Sequence, residues 1–384
     1  SPNTIIEGFA NYFNVVYKNS NSDTTANNYE INPSLLVNIN NISQKEILSA
    51  LKSCKNSLTM GPDGIPSFLL RDCAHIFVDP CFRLFHKILN SSTFPNIWKR
   101  ATICPVYKKG DVAEIKNYRP ISLLCNFSKV FESIIYKHIY SSIKMFLSPH
   151  QHGFMEKRST ISNLACFTQF TSKAIDNRQQ VDTIYFDFQK AFDQIDHFIL
   201  LDKLKRFGFS EGLLKLFESY LFNREQYVKY RNYKSNIIKP ASGVPQGSNL
   251  GPLLFLLFID DLGDVISCQK LFFADDLKLF LKITSTLDCQ QLQQNICSVC
   301  DWASKNRLSL NKDKCFAMTY SRKKENIIFP YRIDNSLINR TERIKDLGIL
   351  FDTKLQFIEH IHEMVSKSFR TYGFIYRNCR DFTY

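Results

Sequence analysis

Apolar positions recur along this chain in two rhythms, and the changes between them outline its elements. Phe9, Tyr12, Phe13, Val16 and Tyr17 form an aromatic stripe at helical spacing, followed by an Asn/Ser/Thr-rich stretch in which residues 20–30 read as loop. Residues 43–56 predict a helix capped by Ser43, with Ile47, Leu48 and Leu51 on one face. Gly61-Pro62-Asp63-Gly64 is a turn signal. Helical spacing covers 67–89 and 128–146; between them, 101–108 is a short apolar strand ending in the basic turn Lys108-Lys109-Gly110-Asp111. The rhythm changes at Thr183-Ile184-Tyr185-Phe186-Asp187-Phe188, a β-branched and aromatic strand, and returns to helical over 198–222. A hairpin over 226–239, a helix over 251–261, an apolar hairpin over 271–280 and a helix over 287–306 complete the pattern. There is no internal repeat. This order suits an α+β domain, an antiparallel sheet backed by helices.

Composition narrows the picture. The chain has 384 residues, 44% of them hydrophobic, enough for about two or three domains with real cores. Lys and Arg number 49 against 36 Asp and Glu, a formal charge of +13. Such an excess attracts polyanions, nucleic acid first among them, although a well-solvated surface can also be basic. The twelve cysteines are scattered, and Ser1-Pro2-Asn3-Thr4 opens no signal peptide, so reduced thiols are expected. Cys297 and Cys300, with Cys289 upstream, lack two further spaced ligands for zinc and read as helix-borne core cysteines. No segment approaches the ~20 apolar residues of a membrane span, so a soluble protein with no membrane partner is expected. The chain lacks an initiator Met and stops in a helix-like basic segment, Lys367-Ser368-Phe369-Arg370, as a piece of a longer polyprotein would.

The chemistry concentrates in three acids. Asp275 and Asp276 are adjacent, between Phe272, Phe273, Leu277 and Leu279. Side-by-side carboxylates repel, and an apolar setting makes the repulsion costlier. Taken alone, the pair also reads as a solvated Asp-Asp turn. A divalent cation would convert the repulsion into binding, and oxygen-only ligands suit Mg²⁺. Asp187 stands in a similar apolar strand between Phe186 and Phe188. Three carboxylates from two strands can hold two metal ions, as polymerases and some nucleases require.

These residues carry a family resemblance. Phe273-Ala274-Asp275-Asp276 resembles the [Y/F]ADD box of reverse transcriptases, and Asp187-Phe188-Gln189-Lys190-Ala191-Phe192-Asp193 their DxxxAFD box. Gly243-Val244-Pro245-Gln246-Gly247-Ser248, followed by Gly251-Pro252-Leu253-Leu254-Phe255, is similar to the PQG box between them. Upstream, Gly61–Gly64, Asn117-Tyr118-Arg119-Pro120-Ile121-Ser122-Leu123 and Gln151-His152-Gly153-Phe154 resemble blocks of non-LTR elements. Downstream, Leu310-Asn311-Lys312-Asp313-Lys314-Cys315 and Asp346-Leu347-Gly348-Ile349 resemble two more. Eight boxes in order, over roughly 55–352, point to the non-LTR (LINE-type) group and its jockey-like elements, with group II intron maturases as neighbours.

The resemblance implies a right-hand polymerase: an N-terminal extension over 1–54, fingers over 55–180, a palm over 181–350 with a fingers return at about 205–240, and the start of a thumb over 351–384. It implies RNA-directed DNA synthesis, with an RNA template, a DNA primer and dNTPs as partners. It also implies two Mg²⁺ ions with Mn²⁺ as a substitute, an endonuclease domain elsewhere in the polyprotein, and a nuclear and cytoplasmic location. Asp187, Asp275 and Asp276 take the place of the metal-binding triad. Lys108, or its neighbour Lys109, and Arg119 match residues that grip the triphosphate. Phe192 stands where reverse transcriptases place a bulky residue against the sugar, Gln246 and Gly247 lie near the nucleotide and template, and Gly348 lies in the primer-grip block. Lys314, with Lys312 as competitor, matches the residue thought to protonate pyrophosphate. Surface solvation, core packing and ordinary turns are the alternatives for these residues. Two other functions stay open: a decayed copy that only binds RNA, and a two-metal nuclease, the latter disfavoured by the PQG box.

Overall fold

The computed structural model describes residues 2–17, 36–39, 41–379 and 382; the loop expected over 20–30 lies outside them. The chain folds as a mixed α+β protein whose residues divide into two compact units interleaved in sequence. One comprises Ser1–Ser148, Gln189–Asp261 and Ala303–Ser309; the other comprises Pro149–Phe188, Leu262–Trp302 and Leu310–Tyr384.

The first unit has a four-stranded sheet in the order Tyr118–Leu123, Arg100–Tyr107, Glu225–Tyr230, Tyr233–Lys234, with Arg100–Tyr107 and Glu225–Tyr230 parallel. The N-terminal helix Pro2–Asn14 lays Ile6, Ala10 and Phe13 against Ile103, Val228 and Ile238 of this sheet region. The helix Gly251–Ile259 is apolar on every side and buries Leu253 through Ile259, so it forms an internal strut, not a surface helix. Ser43 caps the helix Gln44–Lys52 in a reciprocal capping box with Glu46.

Two long helical expectations divide in this unit. The stretch 67–89 becomes Ser67–Asp72 and Ala74–Ser91, parted at Cys73, whose ψ of 22° leaves the helical range. The stretch 198–222 becomes His197–Arg206 and Glu211–Leu221, parted at Gly208, which adopts a φ of 86°. The expected hairpin over 226–239 forms, its regular ladder interrupted at Ser235, whose hydroxyl takes the Val228 amide at 2.9 Å, before Gln226 pairs with Ile238.

The second unit is built on a five-stranded sheet in the order Asn339–Arg340, Phe316–Tyr320, Gln180–Phe186, Asp276–Ile283, Gln269–Phe273. Its pairs are antiparallel except the first. The helix Thr160–Asp176 packs Leu164, Phe167, Ala174 and Ile175 against Val181, Tyr185, Phe280 and Tyr320. Every residue of the central strand Gln180–Phe186 is buried, as a strand covered on both faces requires. In the helix Thr286–Lys305, Cys289 is buried, but Cys297 is exposed and Cys300 half-buried, which corrects the expectation of core cysteines. The helical spacing points only one side of that helix inward, and Cys297 lies off it. Among the described residues no helix is long and apolar enough to cross a membrane.

Candidate active site

The acids come together because the central sheet registers them. Phe186 pairs with Leu277 across the antiparallel ladder, so one further step sets Asp187 opposite Asp276. Phe273 pairs with Asp276, leaving Ala274-Asp275 as a two-residue hairpin turn between the edge strand and its neighbour. Ala274 has a φ of 55°, a left-handed conformation that costs a residue with a Cβ roughly 1–2 kcal/mol. Asp276 is exposed as a residue, yet its carboxyl is pushed up to about 7, first by partial desolvation and then by the charges of Asp275, Asp346 and Asp187. Lys278 pulls in the opposite direction.

Two lysines answer this negative charge. Lys314 brings its ammonium 3.6 Å from Asp187, whereas Lys312 pairs with Asp334 at 2.8 Å. Geometry thus separates two residues that sequence left as competitors. Lys278 forms an ion pair with Asp346 in which both side chains are buried, and its ammonium lies 4.8 Å from the centre of the Phe167 ring. Burial lowers the Lys278 ammonium and Asp346 raises it back, so the pair holds as a unit. Sequence reading missed this pair. Its signal was a lysine inside the apolar run Leu277-Lys278-Leu279.

The fit to divalent cations rests on the acids themselves. They offer hard oxygen donors under mutual repulsion, which a bound cation relieves. Among the described residues no group of three Asp, Glu, His or Cys side chains is arranged to hold a metal ion, Asp187, Asp275 and Asp276 included. Mg²⁺ does not demand one, because it takes one or two carboxylates and completes its shell with water and substrate phosphate.

The first unit carries the other expected residues. Val106 pairs with Arg119, and the Lys108 amide continues the ladder to the Asn117 carbonyl at 2.8 Å. Continuing the strand alternation by that one residue places Lys108 on the Arg119 face, while Lys109 lies beyond the strand in the turn. Both Lys108 and Arg119 are exposed. Phe192 is half-buried, its ring stacked on Phe255 with centroids 4.3 Å apart. Gln246 donates from Nε2 to both carboxylate oxygens of Asp193, at 2.8 and 2.9 Å, while its carbonyl accepts from Ser122 N–H at 2.8 Å. A Cβ on Gly247, whose φ is 125°, would lie 2.7 Å from the Ser122 carbonyl oxygen, so glycine is required by both conformation and space. Gly348 differs. With Leu347 it forms a turn with two positive φ values between Arg343–Asp346 and Ile349–Asp352, and a Cβ there would meet open space. The turn alone accounts for that glycine.

Asp193 closes the DxxxAFD box. The fold buries it and ties it to the PQG loop: Ser242 Oγ donates to its carbonyl, and Gln246 grips its carboxylate. Burial pushes that carboxyl from 3.8 up to about 6, against the opposing pull of the Gln246 bonds and Lys190. The native state therefore binds more protons than the unfolded chain between these values, and this group's contribution to stability falls as pH rises from about 4 to about 6. In urea unfolding, Asp193→Asn should gain on the parent by up to about 3 kcal/mol between pH 4 and pH 7. A difference independent of pH would mean that the carboxyl is not buried as described.

A family model described as "Reverse transcriptase (RNA-dependent DNA polymerase)" matches residues 106–374. The chain is 30% identical over 303 residues to the RNA-directed DNA polymerase from mobile element jockey of Drosophila melanogaster, covering 75% of this chain and 32% of that protein. It is 28% identical over 333 residues to the probable RNA-directed DNA polymerase from transposon BS of the same organism, covering 83% of this chain and 37% of that protein. The probable RNA-directed DNA polymerase from transposon X-element, also of Drosophila melanogaster, is 30% identical over 290 residues, with 73% and 32% covered. The chain thus spans about a third of the length of these relatives.

Proposed function

Because the chain belongs to the reverse transcriptase family, as a domain of the non-LTR, LINE type, we propose that it extends a primer 3′-hydroxyl with dNTPs on an RNA template. The observation that carries this reading is the registration of Asp187 opposite the Asp275-Asp276 turn on one sheet. Two Mg²⁺ ions held there by Asp187, Asp275 and Asp276 would activate the attacking hydroxyl and stabilise the leaving oxygens. Lys314, which lies beside Asp187, gives a proton to departing pyrophosphate in this reading. Arg119 offers a planar fork to triphosphate oxygens and Lys108, on the same strand face, a point charge. Gln246, oriented by Asp193, and Gly247 serve the base pair, and Phe192 the sugar. In the right-hand description, the sheet of Asp187 and Asp276 is the palm, and the helix Ile358–Asn378 begins the thumb.

The test is primer extension by the purified chain on poly-rA with oligo-dT, dTTP and Mg²⁺. RNA binding without extension would instead support a decayed copy that only binds RNA. The charge of +13 adds a second expectation: log K for template–primer falls roughly linearly with log salt, because bound phosphates release counterions. A flat titration by fluorescence anisotropy would remove the charge from the account of binding.

A further inference from the structure

The turn that carries the acids adopts a conformation its own sequence disfavours. In a two-residue hairpin a positive φ at the first central position is normally left to glycine, yet Ala274 stands there with φ 55°. Something outside the turn must hold it. Gln151, 123 residues away in the chain, is 4% exposed and bonds both backbone groups of Ala274. Its Oε1 accepts from Ala274 N–H at 3.0 Å and from Gly153 N–H at 2.8 Å; its Nε2 donates to the Ala274 carbonyl at 3.4 Å.

The rest of the Gln151-His152-Gly153 segment closes around the same place. His152 N–H donates to the Phe272 carbonyl at 2.9 Å, and Phe272 N–H donates to the His150 carbonyl at 3.0 Å. Asn163 Nδ2 adds a bond to the Phe272 carbonyl at 2.9 Å. The segment thereby pairs with the outer side of Gln269–Phe273, the edge strand of the sheet, and satisfies backbone groups an edge leaves open. Gly153 comes so near that a Cβ there would lie 2.2 Å from the Ala274 nitrogen.

We propose that Gln151 is a positioning residue for the acidic turn: by holding Ala274 in its left-handed conformation it sets the presentation of the Asp275 carboxylate, and with it the divalent-ion demand of catalysis. The proposal rests on the reading of Asp187, Asp275 and Asp276 as the metal-binding acids. Gln151 touches no reacting atom in this scheme; it acts through the Ala274 backbone.

The test pairs a metal-free measurement with a catalytic one. Gln151→Met keeps the length of the side chain and removes all three bonds. In the metal-free protein, amide exchange of the 272–277 segment should quicken by about tenfold or more, with other segments unchanged. In primer extension, the Mg²⁺ concentration at half-maximal rate should rise by about fivefold or more, while the template–primer Kd stays within about twofold. Ala274→Gly added to Gln151→Met should bring the Mg²⁺ midpoint back toward the parent value, because glycine takes the positive φ without a Cβ penalty. A structural staple would not be rescued in this way. The proposal is overturned if Gln151→Met leaves both exchange and midpoint at parent values. It is equally overturned if exchange quickens across the whole chain and Ala274→Gly restores nothing. Should Asp275→Asn retain full extension, the metal reading fails instead, and the exchange result reports on the turn alone.

Discussion

Asparagine at Asp187 or at Asp275 should lower primer extension by at least about a thousandfold, roughly 4 kcal/mol of transition-state stabilisation, with template–primer affinity nearly unchanged. Asn keeps the size of the side chain and a neutral oxygen but removes the charge that a hard cation requires. The two positions are coupled through the sheet, Asp187 standing one ladder step beyond the Phe186–Leu277 pair and Asp275 in the turn before Asp276. Residues that act as a unit lose most of their effect with the first substitution, so the double variant should be little worse than either single one. Single-turnover extension at saturating template–primer would separate chemistry from binding. Extension by the double variant at the parent rate would sink the metal assignment. A loss confined to template affinity would move these acids from catalysis to template binding.

The acids were legible because a charge in an apolar strand has few explanations, and Asp187 between Phe186 and Phe188 is such a case. The hairpin of Asp275 and Asp276 was legible for the same reason. The helix Thr160–Asp176 was not, although Leu164, Phe167, Thr171 and Ile175 keep helical spacing, because Thr160, Ser162, Gln169 and Ser172 dilute the stripe. What pairs across long stretches of chain was beyond reach altogether. Lys278 meets Asp346 at a separation of 68 residues, and Gln151 meets Ala274 at 123. Their residue types gave only the question of where a buried lysine or a buried amide finds its partner. Which of Lys312 and Lys314 stands near Asp187 likewise needed coordinates, since two residues of separation in a short 3₁₀ turn send one ammonium to Asp334 and the other to Asp187.

Phe192 yields the second large effect. It follows Asp187 by five residues, and in the proposed reading its ring lies against the sugar of the incoming nucleotide, where a 2′-hydroxyl would collide and a 2′-hydrogen would not. The structure adds a reason for the ring to stay put. It stacks on Phe255 at 4.3 Å with an interplanar angle of 18°, and Phe255 belongs to the buried helix Gly251–Ile259. The Phe192 carbonyl also accepts from Val244 N–H at 2.9 Å, so the backbone beneath the ring is pinned to the PQG loop. A rigid wall discriminates by shape, and a loose one would yield. Phe192→Val should therefore raise kcat/KM for rNTP relative to dNTP by about tenfold to a hundredfold, about 1.4–2.7 kcal/mol. The stack predicts a second signature. Phe255→Leu, which leaves Phe192 in place but removes its backing, should shift the same ratio in the same direction by a smaller factor. If Phe192→Val lowers both rates together and leaves the ratio unchanged, the ring is packing for the helix Gly251–Ile259, and sugar selection lies with another residue.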